Sequence, residues 1–291
     1  MSLIKNCTTA TLAASALAFG LSTSAMAQDA PAVNTGAISV DAGVDWTSAY
    51  YFRGIAQENQ GLILQPYATV TVDLYEDDTF TVAGYVGTWN SFQYNDAASN
   101  DPWYEQDVFV GVTVGLPEGL TLDVSYVNYY SPRGGAGFAE EFAFVLGYDD
   151  SELLGEFAFS PYALLALEFD GGADGGADTG TYLELGGEFA LNVLQSEDYP
   201  VDLTIPFAVG FSIADYYESG NAGDEDFGFI QVGLVASTPL AFIPAEYGEW
   251  SASAGIHLLF MGDAASDIGE GVVHGSGDVV PIGTVGISLS Y

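Results

Sequence analysis

Acidic side chains are the groups in this sequence that could do chemistry, and many of them recur with a period of two. In the stretch 38–47, Asp41 and Asp45 alternate with the apolar residues Val40, Ala42 and Val44. Residues two apart lie on the same face of a β-strand. One face of this strand would therefore carry carboxylates and the other would be apolar. Carboxylates on one face would attract cations and repel anions.

The same alternation, extended along the chain, predicts which side chains face inward. A carboxylate facing lipid is costly, so the acidic faces should line a lumen. Arg53, at the end of the first predicted strand, should pair with one or two of these carboxylates. Two interpretations stay open: a water-filled, cation-preferring pore, or a narrow lumen plugged by side chains. The predicted lumen-lining residues are Asp41, Asp45, Arg53, Asp107, Asp123, Glu156, Glu168, Glu184 and Glu188.

Other kinds of site have less support in the sequence. The Gly-rich loop with Asp170, Asp174 and Asp178, and the cluster 224–226, could hold Ca²⁺ loosely, because Ca²⁺ takes oxygen ligands. No other cofactor is predicted. Catalysis would need a nucleophile beside His257 or His274, and neither histidine has such a motif near it. We therefore predict no enzyme.

Composition and the N-terminal segment restrict the class of protein further. Residues 1–27 have the form of a secretory signal peptide: Lys5, an apolar stretch, and an A-x-A cleavage site at 25–27. Beyond it, Arg53 and Arg133 are the only Lys or Arg residues, set against 40 Asp and Glu, which excludes nucleic acid as a partner. Cys7 lies within this segment, so the remaining chain has no disulfide and no thiolate metal site. Residues 28–36 are predicted as a periplasmic lead-in, and 37–291 as the folded domain.

The pattern of the remaining chain predicts an all-β protein, specifically a transmembrane antiparallel up-and-down β-barrel of about 12 strands. After the signal segment no apolar run reaches about 18 residues, so no transmembrane helix is expected. A secreted β-sandwich is the soluble alternative, but its strands are usually only about 5–6 residues long. The predicted strands lie near 38–53, 61–74, 80–93, 108–116, 120–126, 142–148, 157–169, 183–191, 201–213, 227–238, 250–260 and 279–291.

The predicted connections sort by length, as they do in membrane barrels. Short turns are expected near 75–79, 117–119, 149–152, 194–200 and 239–248. Longer loops are expected near 94–102, 131–139, 170–179, 216–226 and 263–278, with a modest one at 54–60. Both termini would lie on the periplasmic side with the short turns. Pro66, Pro161, Pro206 and Pro281 fall within predicted strands, where proline removes a ladder hydrogen bond.

The last predicted strand resembles the closing strand of bacterial outer-membrane barrels. It alternates Val285, Ile287 and Leu289 with small residues and ends in Tyr291. The resemblance implies that Tyr291 is an assembly signal, read by the barrel assembly machinery. It also implies export through the general secretory pathway, residence in the bacterial outer membrane and contact with its lipids.

The stretch 44–55, with Ser48, Tyr50, Phe52, Arg53-Gly54 and Ile55, resembles the first strand and loop of the TorF-type porin family. That resemblance covers about eight residues and implies a Gram-negative outer-membrane pore whose solute is not defined. The leading function is thus a porin for passive diffusion of small solutes, preferring cations. The alternatives are a non-conducting structural or adhesive barrel, whose acidic loops are bridged by divalent cations, and, with less support, a barrel lipid hydrolase.

Overall fold

The computed structural model describes residues 34, 36–94, 101–174, 178–194, 200–219, 223–272 and 277–291. The predicted signal peptide, most of the lead-in and His274 lie outside these residues. In chain order the strands are β1 (Ile38–Thr47), β2 (Tyr50–Phe52), β3 (Ile55–Glu58), β4 (Leu62–Glu76), β5 (Thr81–Tyr94), β6 (Trp103–Gly115), β7 (Leu120–Ser131), β8 (Ala136–Tyr148), β9 (Tyr162–Gly171), β10 (Thr181–Leu194), β11 (Val201–Ala214), β12 (Glu218–Ser219), β13 (Gly223–Asp224), β14 (Phe227–Pro239), β15 (Glu249–Met261) and β16 (Val279–Ser290).

Twelve of these described strands form one closed antiparallel barrel, which confirms the predicted fold. The strands β2 and β3 pair only with each other, and so do β12 and β13. Short helices are α1 (Ser151–Leu154) and α2 (Asp263–Val272), with 3-10 turns at Pro117–Gly119, Gly155–Phe157 and Ala245–Tyr247. No helix among the described residues is both long and apolar enough to span a membrane.

Alternation along each strand separates an apolar outside from a packed inside. On β6, Val108, Val110 and Val112 are exposed, whereas Asp107 and Phe109 at alternating positions are buried. Exposed Val, Leu and Phe side chains recur around the wall, on β5, β8, β9, β10 and β14 among others. Closure of the ring leaves none of its strands with an open edge. The apolar outer surface of the ring matches a lipid environment.

The first and last barrel strands close the ring. Val44 of β1 lies opposite Ile287 of β16 on one side and Pro66 of β4 on the other. Beyond the paired strand residues, the backbone N–H groups of Val40 and Tyr291 donate to each other's carbonyl oxygen, at 2.7 and 2.9 Å. The C-terminal residue thus contributes the last hydrogen bonds of the seam. We call the end at which β1 begins and β16 ends the terminal end, and the opposite end the loop end.

The first predicted strand is too long. The strand β1 ends at Thr47, and the chain then enters the barrel, where Tyr50, Tyr51 and Phe52 are all buried in succession. A wall strand would expose every second side chain to lipid. Three consecutive buried side chains are possible only where protein surrounds both faces, so this segment cannot belong to the wall.

Two predicted connection lengths are also wrong. Residues 149–161 form a long connection with α1 and a 3-10 turn, and β9 begins only at Tyr162, which places Pro161 before the strand. The buried Asp150 carboxylate accepts N–H bonds from Phe159 and Ser160 at 3.1 and 3.0 Å, which holds this connection together. Conversely, β7 and β8 extend so far that only residues 132–135 separate them. The predicted loop 263–278 contains α2.

Inside the wall, aromatic rings lie over glycines of neighbouring strands. A Cβ added at Gly111 would lie 2.3 Å from the Tyr85 hydroxyl, and one at Gly87 would lie 2.4 Å from the Phe109 ring. Gly43 with Tyr67 and Gly186 with Tyr162 repeat the arrangement. These glycines leave the space that inward-facing rings occupy, as in designed barrels where aromatics cover glycines.

The Gly111→Ala substitution tests this packing. Tyr85 cannot swing away freely, because its hydroxyl donates to Asp123 at 2.8 Å. We expect the free energy of unfolding to fall by about 1–3 kcal/mol, the usual cost of overpacking, in urea titrations of the refolded barrel. The control is Gly84→Ala on the outer face of β5, where the nearest atom is the flexible Leu74 Cδ1 at 3.2 Å. Equal stability of the two variants would contradict the proposed packing.

Candidate functional site inside the barrel

The segment Tyr50–Glu58, which we call the inner hairpin, folds back into the loop half of the barrel. Its strands β2 and β3 meet where Phe52 pairs with Ile55. Arg53 and Gly54 between them have φ of 48° and 85°. Two-residue turns of type I′ require positive φ at both positions, and glycine is favoured at the second. A Cβ at Gly54 would also lie 3.1 Å from Phe229. The positive φ and the lack of space therefore both favour glycine at this position.

The tip of the inner hairpin is fixed by a buried ion pair. Arg53 donates from both terminal nitrogens to the two oxygens of Glu141 on β8, at 2.7 and 2.8 Å. The two residues are 4% and 0% exposed. Glu141 also accepts from the Tyr129 hydroxyl at 2.9 Å, and Arg53 donates to the Tyr216 hydroxyl at 2.9 Å. The bidentate geometry is the strongest that Arg and a carboxylate can form.

Aromatic rings complete the surroundings of Arg53. Its guanidinium lies 4.4 Å from the centroid of the Tyr182 ring and 4.9 Å from that of Phe52. The Tyr217 hydroxyl donates to the Arg53 carbonyl at 2.7 Å. Burial by itself would lower the pKa of Arg53, but Glu141, Tyr216 and Tyr129 together outweigh burial and raise that pKa well above its usual value. The group therefore stays a cation in its enclosed position.

The inner hairpin divides the loop half of the interior into two apolar clusters. On one side Tyr50 and Phe52 pack with Trp89, Tyr129 and other residues of the β4–β8 wall. On the other, Tyr51, Ile55 and Ala56 pack with the β8–β16 wall and with Ala264 and Ala265 of α2. Buried side chains on both sides mean that the loop half of the lumen is filled with protein.

Three carboxylates predicted to line the lumen lie buried and hold local contacts. Asp123 accepts from the Tyr85 and Thr113 hydroxyls at 2.8 and 2.7 Å. Glu168 accepts the backbone N–H groups of Ala173 and Gly180, at 2.8 and 2.7 Å. Glu184 accepts from the hydroxyls of Tyr162 and Tyr182. Each therefore has two hydrogen-bond donors in place of a base.

The terminal half of the lumen is different, because its carboxylates are only half-buried. Asp41 and Asp45 on β1 and Glu188 on β10 all have intermediate exposure. Serine side chains accompany them: Ser290 donates to Asp41 at 2.8 Å, and Ser251 shares a hydrogen bond with Ser288 at 2.7 Å. We call this part of the lumen, where partly exposed polar and acidic side chains lie among the described residues, the vestibule.

Two of the predicted lumen residues need correction. Arg53 faces the lumen, but from the tip of the inner hairpin and not from the first strand. Glu156 is exposed in the 3-10 turn Gly155–Phe157 at the terminal end, so it does not line the lumen. The prediction for Glu156 is wrong because period two was extended through residues that form a 3-10 turn. Asp107 is placed inside, as predicted, on β6.

The predicted Ca²⁺ ligands and His257 are not arranged as a metal site or a catalytic site among the described residues. Asp170 is exposed at the end of β9, and Asp174 accepts the N–H of Glu218 at 3.0 Å. Asp178 is also exposed. Across the described part of the chain, no three His, Asp or Glu side chains are grouped to hold a metal ion. His257 is buried in the wall beside Gln231, 3.1 Å away, and its Nε2 has no partner among the described residues.

Several site residues escaped the sequence reading. Glu141 and Glu105 would have been found by extending the alternation of Phe142 and Val108 further back along their strands, which places both inward. Tyr216 and Tyr217 lie in the connection between β11 and β12 and follow no period. Nothing local distinguishes them from other aromatics near strand ends.

A closed antiparallel barrel with an apolar outer surface and a polar, partly plugged interior defines the class of transmembrane β-barrels. Within that class, the family model described as "Bacterial protein of unknown function (Gcw_chp)" matches residues 31–195. The match covers more than half of the 291 residues, so the chain belongs to this family. It includes the inner hairpin and Glu141. The matching description is not that of the TorF-type porins, so that resemblance stays a prediction.

Solved structures with a similar barrel include a NanC porin, with 10% identity, a TM-score of 0.45, and coverage of 86% of this chain and 98% of that chain. An outer-membrane channel from Pseudomonas putida F1 has 11% identity, a TM-score of 0.45, and coverage of 91% and 99%. LpxR from Salmonella typhimurium has 9% identity, a TM-score of 0.44, and coverage of 86% and 99%. None of the curated proteins matches the chain. Likeness at this level says nothing about function.

Removing the buried base should release the inner hairpin. The Arg53→Ala variant leaves Glu141 buried without its partner, and breaking such a pair typically costs about 3–5 kcal/mol. We expect amide hydrogen exchange across Tyr50–Glu58 to become much faster, while the β-strands of the wall keep their protection. The control is Arg133→Ala, which removes the same charge from a loop. Unchanged protection in Arg53→Ala would show that the ion pair does not hold the hairpin.

Proposed function

We propose that this protein is a porin-like channel of the bacterial outer membrane, with an acidic, cation-preferring vestibule, held closed by its inner hairpin. One observation carries the proposal. The terminal half of the lumen keeps the half-exposed carboxylates Asp41, Asp45 and Glu188, while the loop half is filled by a segment that is not part of the wall.

The way in which the inner hairpin is attached supports a closure that can open. Its strands pair only with each other, so moving it breaks no hydrogen bonds of the barrel sheet. Side chains make its contacts with the rest of the interior: Arg53 to Glu141, Tyr50 to Glu105 at 2.9 Å, and Gln57 to Tyr104. Displacing it would connect the acidic vestibule to the loop end.

A non-conducting structural barrel is the second candidate, and the dense aromatic packing around the inner hairpin favours it. In that case the hairpin is a permanent plug that stabilises the barrel. The two functions differ in whether loosening the hairpin produces ion flow, and this difference can be measured directly.

Planar-bilayer recording of single barrels should separate the two candidates. We expect the natural protein to be closed most of the time, and Arg53→Ala to raise the open fraction by at least about tenfold, since each 1.4 kcal/mol taken from the closed state is worth a factor of ten. Arg133→Ala should behave like the natural protein. Silence of Arg53→Ala, in a barrel whose hairpin exchanges quickly, would favour the structural plug.

The selectivity of the open state tests the acidic vestibule. In the Arg53→Ala background, replacing Asp41 and Asp45 by Asn and Glu188 by Gln should reduce the preference for cations, because fixed negative charges raise the local cation concentration. The measurement is the reversal potential in a KCl gradient. Neutralising Glu246, Asp78 and Asp149 in the exposed turns instead provides a control with the same change in charge. A reversal potential that does not move with the vestibule residues would contradict the acidic-lumen hypothesis.

A further inference from the structure

The buried carboxylates of this barrel differ sharply in what compensates them. Asp123, Glu168 and Glu184 each accept two hydrogen bonds, and Glu141 has Arg53 and Tyr129. Glu105 accepts one, from Tyr50. Asp107, only 1% exposed, receives no hydrogen bond from an N–H or O–H donor of the described residues, and its carboxyl lies within hydrogen-bonding reach of that of Glu105.

These two exceptions lie side by side. Glu105 and Asp107 are two residues apart on β6, so both point inward from the same face. The residue opposite Glu105 on β5 is Ser91, which is 0% exposed, and its hydroxyl likewise has no partner among the described residues. Gln93, two residues further along β5, has an unpartnered amide nitrogen. Four buried, inward-facing polar side chains on two neighbouring strands therefore have incomplete hydrogen bonding among the described residues.

Charge balance shows what is missing there. Two buried carboxylates need two positive charges, because an uncompensated buried charge is very costly. Arg53 is already committed to Glu141. Arg133, the other Arg beyond the signal segment, lies in a loop, where its Nε donates to the Asp101 carbonyl at 3.0 Å. The two carboxyls must therefore either bind protons or take their compensating charge from a cation outside the chain.

We propose that Glu105, Asp107 and Ser91 form a binding site for one hard divalent cation of the Ca²⁺ type. All the offered ligand atoms are oxygens, which such ions prefer, and two carboxylates neutralise the charge of the ion. Tyr50 of the inner hairpin, hydrogen-bonded to Glu105, closes the site from the lumen side. The site stands apart from the loop aspartates 170, 174 and 178, and it does not depend on the barrel conducting ions.

Terbium luminescence locates such a site, because Tb³⁺ takes the same ligands and is excited by aromatic rings close to it. Tyr50 contacts Glu105, and the Trp89 ring centroid lies 5.2 Å from that of Tyr50. The purified barrel, refolded with TbCl₃ in physiological salt, should show saturable sensitised emission that CaCl₂ displaces. Asp107→Asn should abolish it, and Ser91→Ala should weaken Ca²⁺ competition by on the order of tenfold. The matched control, Asp78→Asn in an exposed turn, should leave it unchanged.

The variants are expected to fold, since Asp107→Asn removes a buried charge and keeps the shape of the side chain. Glu105→Gln provides a second, independent loss of the site, and heat-modifiable electrophoretic mobility reports that each barrel has closed. The proposal is overturned if the natural protein shows no saturable emission, which would mean that Glu105 and Asp107 are neutralised by protons. It is also overturned if Asp107→Asn binds as well as Asp78→Asn.

Discussion

A single bidentate ion pair, Arg53 with Glu141, fixes the tip of the inner hairpin, around which the loop half of this barrel is packed. A ring of twelve strands encloses more space than its own inward side chains fill when many of them are glycine, alanine or serine. Here the chain fills that space with its own inner hairpin. The hairpin lacks backbone pairing with the wall, so its location depends on side-chain contacts, and the ion pair is the strongest of them.

The scarcity of bases makes this arrangement costly to replace. Only Arg53 and Arg133 are available after Lys5, set against 40 acidic residues. Hydroxyl and backbone N–H groups therefore supply the hydrogen bonds to the buried carboxylates of Asp123, Glu168 and Glu184. A hydroxyl satisfies the lone pairs of a carboxylate but adds no charge. Such sites supply hydrogen bonds alone, whereas Arg53 also brings a positive charge to Glu141.

The sequence predicts the wall well and the contents of the lumen poorly, for one physical reason. Alternation appears where one face of a strand meets lipid and the other meets the interior, as at Val108, Val110 and Val112. Where protein surrounds a segment on all sides, as at Tyr50, Tyr51 and Phe52, that contrast vanishes and period two misleads. The same limit applies to α2, which packs against the inner hairpin, and to Glu156, which lies in a helical turn. The alternation could have identified Glu141 as an inward residue. It could not have identified Glu141 as the partner of Arg53, because their contact spans 88 residues.

The proposed cation site and the inner hairpin share a residue, and this links them thermodynamically. Tyr50 belongs to β2 and donates to Glu105, so the site is complete only while the hairpin is in place. A cation that binds the complete site more tightly than the open one must stabilise the closed state by the difference in its two binding free energies. The acidic interior would then favour cations in two opposing ways: half-exposed carboxylates in the vestibule would attract them for passage, and the buried pair would use one of them to keep the passage shut.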